Sequence, residues 1–212
     1  VSPGTFVPLV VEMHGYGSRN TQLSYTQWQN KAEVNAFVLV RPMGTEGAGD
    51  QKPSWNAGWC CGGSADGKAN VDDVGFIRKV VQQTVAATGA FVIDQARVYM
   101  AGHSNGCALA QRMAVEASDI VAAVGCHSMY LVTKRTPAAT KSAVPSDYTA
   151  VPVMTVHGTA DTTVKYSGWM GGHGLENNLQ LWKEINGCAA ATPAATSGTG
   201  YGIKTYTGCG GG

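Results

Sequence analysis

The sequence predicts an α/β fold built around a largely parallel sheet with helices on both faces. Short, continuously apolar runs, typical of strands buried on both sides, alternate with segments whose apolar residues recur at helical spacing. This alternation is the pattern expected of parallel strands joined by helical crossovers. The predicted strands are Val7–Met13, Phe37–Val40, Arg97–Ala101, Ile120–Gly125, Val151–Val156 and Gly202–Thr207.

Helical segments are predicted between these strands. They are Thr21–Glu33, a segment with Val74, Ile77, Val80, Val81 and Val85 on one face, Ala108–Ala117, and Leu175–Ile185, which Gly187 ends. Either Asp72 or Asp73 is placed to cap the start of the second helix. The Gly-, Ala- and Thr-rich stretch Ala189–Gly200 is predicted to be a long flexible loop.

Composition indicates one domain, spanning residues 1–212, with enough apolar residues (44%) to bury a core. A net charge of +1 gives no electrostatic reason to expect nucleic acid or an anionic membrane as partner. No apolar run approaches the roughly 20 residues that cross a bilayer, and no His or Cys spacing is typical of zinc. We therefore expect no metal or cofactor. We also expect the protein to be a monomer.

The six cysteines are many for a cytosolic enzyme of this size. An even count in a chain rich in Gly, Ser, Thr and Asn favours disulfides and a secreted, extracellular protein. For Cys107 and Cys126, each within an apolar segment, buried free thiols are the alternative.

Polar residues follow three of the predicted strands: His14-Gly15-Tyr16, His103-Ser104-Asn105, and His157 to Asp161. In open parallel sheets, ligands bind beyond the carboxyl ends of the strands. We therefore expect the three strand ends to converge on one site.

Gly102-His103-Ser104-Asn105-Gly106 matches G-x-S-x-G, the nucleophile elbow of α/β-hydrolases. The motif requires a strand, a tight turn and a helix, and here a predicted strand leads in and a predicted helix leads out. Small neighbours permit the strained backbone that thrusts the serine hydroxyl into a cleft. The context predicts that Ser104 is a nucleophile.

Acyl transfer also needs an oxyanion hole, an acid and a base. The N–H groups of Asn105 and Tyr16 are predicted to bind the oxyanion. Asp161, after the strand ending at Val156, is predicted to be the acid, whereas Asp72 and Asp73 precede the serine and are interpreted as caps. In this fold the base follows the acid in chain order. His173 is the only histidine of the sequence after Asp161, so it is the candidate base within residues 1–212.

Three aromatic residues, Tyr16, Trp55 and Trp59, are candidates for holding an aromatic acyl group or a sugar. The alternative for each is ordinary core packing. Sequence alone does not separate the two.

The chain resembles the secreted feruloyl-esterase and polyhydroxybutyrate-depolymerase-like esterases of the α/β-hydrolase superfamily. The resemblance covers nearly the whole length and is carried by blocks in the same order. They are Pro8 to Val11 with His14 to Gly17, Trp55 to Gly62, Asp72 to Ile77, Arg97 to Tyr99, Gly102 to Gly106, His157 to Asp161, and Trp182 with Asn186 to Cys188. It implies a serine esterase with Ser104 as nucleophile and Asp161 as acid, acting on feruloyl or acetyl polysaccharide esters or on hydroxyalkanoate polyesters.

In that family the catalytic histidine follows a further strand, in a Gly-His-x-Trp-Pro-Gly-like stretch. No such stretch precedes Gly212, so we expect the fold to be incomplete at both ends, with the base beyond Gly212 and His173 facing solvent. The alternative function is a catalytically impaired binding protein or inactive fragment that retains the elbow as architecture.

Paired Cys60-Cys61 is also a feature of the family. Because adjacent cysteines rarely bond to each other, we expect at least one to bond elsewhere. Cys188 and Cys209 flank a long loop and are expected to form a bridge.

Overall fold

The chain alternates strands and helices along most of its length. A computed structural model describes residues 4–21, 26–46, 51–62, 70–87, 89, 91–168 and 173–210. Its elements are β1 (Thr5–Met13), α1 (Trp28–Asn35), β2 (Val38–Val40), β3 (Thr45–Glu46), β4 (Pro53–Ser54), α2 (Asp73–Ala86), β5 (Phe91–His103), α3 (Asn105–Glu116), β6 (Ala123–His127), α4 (Pro137–Ser142), β7 (Val153–Val156), α5 (Leu175–Ile185), β8 (Ala194–Gly198) and β9 (Tyr201–Thr205).

The central sheet has five parallel strands in the order β2-β1-β5-β6-β7, which confirms the predicted sheet. Helix α3 packs against β1, β5 and β6. Across these strands Val11, Met100 and Val124 are neighbours, and each is at most 3% exposed. Helix α1 packs beside β2, and α5 reaches α3 through a hydrogen bond from Trp182 Nε1 to Gln111 Oε1 of 2.8 Å. No helix in the described part of the chain has the length and apolar character to cross a membrane.

The main departure from the sequence prediction lies after α5. The segment predicted as a flexible loop contains β8, which pairs antiparallel with β9 in a separate hairpin. Residues of β8 are exposed and only weakly apolar, so the strand depends on its partner and carries no periodic signal of its own. Similarly, α1 begins at Trp28, later than the predicted Thr21, and residues 22–25 of that prediction lie outside the described residues.

All six cysteines are bonded. The expected Cys188–Cys209 bridge is confirmed, and it closes the segment that carries the hairpin. Cys107 of α3 bonds to Cys126 of β6, so these two are not free thiols.

The expectation that Cys60 or Cys61 would bond elsewhere is wrong, because the two bond to each other. The other four cysteines bond to one another, as Cys107–Cys126 and Cys188–Cys209, which leaves Cys60 and Cys61 as each other's only cysteine partner. Backbone hydrogen bonds from Ala57 N to Cys60 O and from Trp59 N to Val132 O hold this loop in place.

A buried polar cluster fixes the segment between β4 and α2. Asp73, 2% exposed, accepts a 2.6 Å hydrogen bond from the Asn56 N–H, and Arg112 donates to both Asn56 oxygens. Asp72 caps α2 by accepting from Gly75 N–H. Desolvation outweighs the Asn56 hydrogen bond and the Arg112 charge, and it raises the pKa of Asp73 from 3.8 to about 6.

We expect Asp73→Asn to remove a pH-dependent loss of stability. Because the folded-state pKa lies above that of the unfolded chain, burial of Asp73 destabilises the fold progressively as pH rises from about 4 to 6. Asparagine still accepts from Asn56, so the variant should match wild type at pH 4 and exceed it at pH 8 by up to about 3 kcal/mol. Urea unfolding at both pH values tests this, and an equal stability difference at both would contradict it.

Candidate active site

Ser104 lies in the sharp turn between β5 and α3. Its backbone, at φ 52° and ψ −121°, is in a region that residues other than glycine rarely occupy. Two bonds fix the turn: Ser104 N–H donates to His127 O, and Ser104 O accepts from Ala108 N, each at 3.0 Å. The side chain is half-buried at the carboxyl end of the sheet, as the elbow motif predicts.

The glycines on either side of the elbow allow backbones to touch. A Cβ on Gly102 would lie 2.5 Å from the Gly106 carbonyl. A Cβ on Gly106 would overlap the Met13 carbonyl and lie 2.6 Å from the His14 oxygen. The start of α3 is therefore pressed directly against the end of β1.

The turn after β1 is the predicted oxyanion turn. His14 is fully buried, and its Nε2 accepts from Gly44 N–H at 3.0 Å while Nδ1 contacts Gly15 O at 2.8 Å. Burial lowers the pKa of His14, which suits this structural role. A Cβ on Gly15 would lie only 3.4 Å from the Ser104 Cβ, so the turn passes close beside the serine.

Two backbone amides flank the serine. Asn105 opens α3, and because the first helical hydrogen bond runs from Ala108 to Ser104, the Asn105 N–H has no partner within the helix. Tyr16 directly follows Gly15 in the opposing turn. The residue is 39% exposed, and Lys52 Nζ lies 5.5 Å from the centroid of its ring. The oxyanion roles of both amides stay predictions.

Trp55 ties the elbow to this turn. Asn105 Oδ1 accepts from Trp55 N–H at 2.7 Å, and Asn105 Nδ2 donates to Trp55 O at 3.0 Å. Trp55 Nε1 donates to His14 O at 2.8 Å. Trp55 is 0% exposed, so it occupies the core position that was the alternative to substrate binding. Trp59 is half-buried and packs against the core.

Asp161 lies in the loop after β7. Its Oδ1 accepts from the N–H groups of Thr163 and Val164, each at 2.9 Å. Desolvation raises the pKa of Asp161, but these two hydrogen bonds, with smaller contributions from His157 and His103, outweigh it and hold the pKa below its ordinary value. The carboxylate is therefore ionised, as a triad acid must be.

His173 is buried, at 7% exposure, so the expectation that it faces solvent is wrong. The physical reason is that His173, just before the start of α5, packs beside Tyr130, with the two ring centroids 5.9 Å apart. Among the described residues, neither ring nitrogen of His173 has a partner at hydrogen-bond geometry, so it bonds neither Ser104 nor Asp161. Burial lowers the pKa of His173, and the neighbouring Asn178 side chain offsets part of that effect.

Two aromatic pairs at the strand ends were not predicted. His103 stacks on His127, with centroids 4.6 Å apart, and Tyr130 stacks on His157 at 5.4 Å. His103, His127 and His157 lie at the carboxyl ends of strands, which is where the sequence analysis looked for site residues such as Ser104 and Asp161. Tyr130 stands three residues after β6 and would have been found by extending that rule beyond the first residues of each loop. Among the described residues no His, Cys, Asp or Glu cluster could hold a metal ion.

We expect Gly106→Ala to reduce ester turnover by about 100-fold, since the added methyl group must push the elbow away from β1 by part of an ångström or more. It should also destabilise the fold by about 1–3 kcal/mol through overpacking. The matched control is Gly89→Ala, where an added Cβ meets nothing within 4 Å. Turnover of p-nitrophenyl acetate and thermal melts of both variants test this, and equal activity in the two would contradict it.

Comparison with known proteins agrees with this architecture. The chain is similar in structure to an acetyl xylan esterase from Aspergillus awamori (16% identity, 97% of this chain and 81% of that chain covered, TM-score 0.67). It is also similar to SOBER1 from Arabidopsis thaliana (18%, 84% and 83%, TM-score 0.63) and to esterase PE8 (19%, 86% and 81%, TM-score 0.57). At these identities the similarity shows the fold alone. No functionally curated protein matches the sequence.

The sequence itself gives a family match over most of its length. Residues 5–190 match the model of the phospholipase/carboxylesterase family. Together with the parallel sheet, this match confirms the predicted α/β-hydrolase fold. The chain belongs to the phospholipase/carboxylesterase family of α/β-hydrolases.

Proposed function

We propose that the protein is a serine esterase that hydrolyses carboxylic esters through an acyl-enzyme on Ser104. The observation that carries the proposal is the elbow: a serine at φ 52° between a parallel strand and a helix N-terminus, flanked by two glycines that leave no room for a side chain. That backbone holds the hydroxyl beyond the sheet, and the start of α3 supplies N–H donors and a positive dipole end beside it.

In this proposal the reaction begins when the Ser104 hydroxyl attacks the ester carbonyl as a histidine removes its proton. The charge that develops on the carbonyl oxygen is stabilised by the Asn105 and Tyr16 amides, which need no reorganisation during the reaction. The alcohol leaves with a proton, and water then attacks the acyl-serine. Asp161 serves by orienting and stabilising the imidazolium. Among the described residues, backbone N–H groups bond its Oδ1 and not its Oδ2.

The position of His173 argues against a role for this residue as the general base. A general base must come within hydrogen-bond reach of the serine hydroxyl, whereas His173 contacts Tyr130 and makes no hydrogen bond to Ser104 in the described part of the chain. This same observation favours the second candidate function, a catalytically impaired protein that binds ester-containing ligands through an intact elbow.

We propose feruloyl or acetyl esters of plant polysaccharides, or hydroxyalkanoate polyesters, as the substrate class. The blocks shared with feruloyl esterases and polyester depolymerases support it, as does the similarity in fold to an acetyl xylan esterase. The exposure of Tyr16 at the oxyanion turn supports a role for it in contacting an acyl group or sugar. We further propose secretion, supported by three disulfides joining all six cysteines.

We expect Ser104→Ala to abolish hydrolysis of p-nitrophenyl acetate and covalent labelling by a fluorophosphonate probe, without loss of the folded state. The hydroxyl makes no hydrogen bond within the described residues, so its removal should leave the melting temperature nearly unchanged. The two assays also separate the candidate functions, because a binding protein would neither turn over ester nor take up the probe in its wild-type form. Retained turnover in purified Ser104→Ala would eliminate the proposed mechanism.

We expect Asp161→Asn to lower kcat by orders of magnitude, since a misoriented imidazole is a poor base; the cost is about 10⁴-fold in the well-studied protease case. His173→Gln should change kcat little, because His173 makes no hydrogen bond to Ser104 or Asp161. Steady-state kinetics of both variants decide this. A loss below tenfold for Asp161→Asn would point to a different acid, and a severe loss for His173→Gln would reassign the base.

A further inference from the structure

Two stacked rings hold consecutive carbonyls of the loop that carries Asp161. His157 Nε2 lies 2.6 Å from Val164 O, and the Tyr130 hydroxyl donates to Lys165 O. The two rings are almost parallel, with an interplanar angle of 11° and centroids 5.4 Å apart. The His157 side chain has no exposed surface, and Tyr130 is 1% exposed.

The carboxylate is bound to the same stretch of backbone. Asp161 Oδ1 accepts from Val164 N–H, while Val164 O takes the hydrogen bond from His157. The backbone of Val164 is thus bonded at both its N–H, by the Asp161 carboxylate, and its carbonyl, by the His157 ring. His157 Nε2 lies 3.7 Å from Asp161 Oδ2, beyond hydrogen-bond length, so this oxygen remains available to another partner.

The polar atoms of the pair distinguish this arrangement from plain core packing. A phenylalanine would fill the Tyr130 site equally well, but only a hydroxyl reaches Lys165 O. Because Nε2 donates to a carbonyl, His157 carries a proton on that nitrogen, and its buried Nδ1 has no partner within the described ranges. Burial raises the pKa of Tyr130 to about 12, so the hydroxyl stays protonated and remains a donor at any working pH.

We propose that the stacked pair His157–Tyr130 positions Asp161, by anchoring the Val164 and Lys165 carbonyls so that Oδ1 is held by backbone amides and Oδ2 is left for the catalytic base. The inference rests on the proposed role of Asp161 as the acid. His157 follows β7 and Tyr130 follows β6, so the pair ties the acid loop to two neighbouring strands of the sheet. A loop anchored this way holds a carboxylate more firmly than an Asx turn alone.

The decisive variant is Tyr130→Phe, which keeps the stacked ring and removes only the hydroxyl. Its matched control is Tyr148→Phe, which removes a hydroxyl hydrogen-bonded to Asn186 and Val151, away from the acid loop. His157→Phe is the second variant, because it keeps an aromatic ring and removes the donor to Val164 O. Thermal melts establish that each protein is folded.

The first measurement is a ¹³C NMR titration of the Asp161 carboxyl group, which does not depend on activity. We expect Tyr130→Phe and His157→Phe to raise the pKa of Asp161 toward its ordinary value, because a loosened loop weakens the amide hydrogen bonds to the ionised form. Tyr148→Phe should leave it unchanged. An Asp161 titration identical to wild type in both loop variants would overturn the inference.

The second measurement is steady-state kinetics. We expect the loop variants to lower kcat by up to about 100-fold with KM nearly constant, as displacement of a catalytic group does. If Asp161→Asn retains activity, the proposed acid role fails, while the titration still decides whether the pair positions the carboxylate. If Asp161→Asn is inactive and both loop variants keep full kcat and an unshifted pKa, only the positioning inference fails.

Discussion

The backbone contact between the start of α3 and the end of β1 governs the rest of the candidate site. Gly106 meets the carbonyls of Met13 and His14 with no space for a Cβ, which fixes the distance between the elbow and the oxyanion turn. The strained φ of Ser104 persists because the surrounding contacts determine it from both sides. Trp55 then adds hydrogen bonds to both partners, to Asn105 and to His14 O, so that neither can move alone.

The opposite side of the site is organised by hydrogen bonds instead of close packing. Asp161 lies in a loop, where Oδ1 accepts from the Thr163 and Val164 amides and the Val164 and Lys165 carbonyls contact His157 and Tyr130, which follow β7 and β6. Steric contact tolerates almost no displacement, whereas a hydrogen-bonded loop can open and close. Ser104 is therefore the fixed reference of the candidate site, and the Asp161 loop is the part whose geometry substitutions can change.

Features with a strong local signal were predicted well from sequence. The apolar runs located all five strands of the sheet, and strand–turn–helix context located Ser104. Features that depend on tertiary partners were not: β8 forms only because β9 pairs with it, and the Cys60–Cys61 bond follows from the pairing of the other four cysteines. Trp55 shows the same limit, because a tryptophan that contacts substrate and one that packs in the core cannot be told apart until the burial of the side chain is known.

The base is the hardest residue to assign because its chemistry is shared by several histidines. Burial lowers the pKa of His14, His103, His127 and His173 alike, so each would be neutral at pH 7 and able to accept a proton. Protonation state therefore does not select among them. Geometry does, because a base must contact both the serine hydroxyl and Asp161 Oδ2, the carboxylate oxygen that the loop backbone leaves unoccupied. In the proposed mechanism, the direction in which Asp161 Oδ2 points therefore defines where the catalytic imidazole must lie.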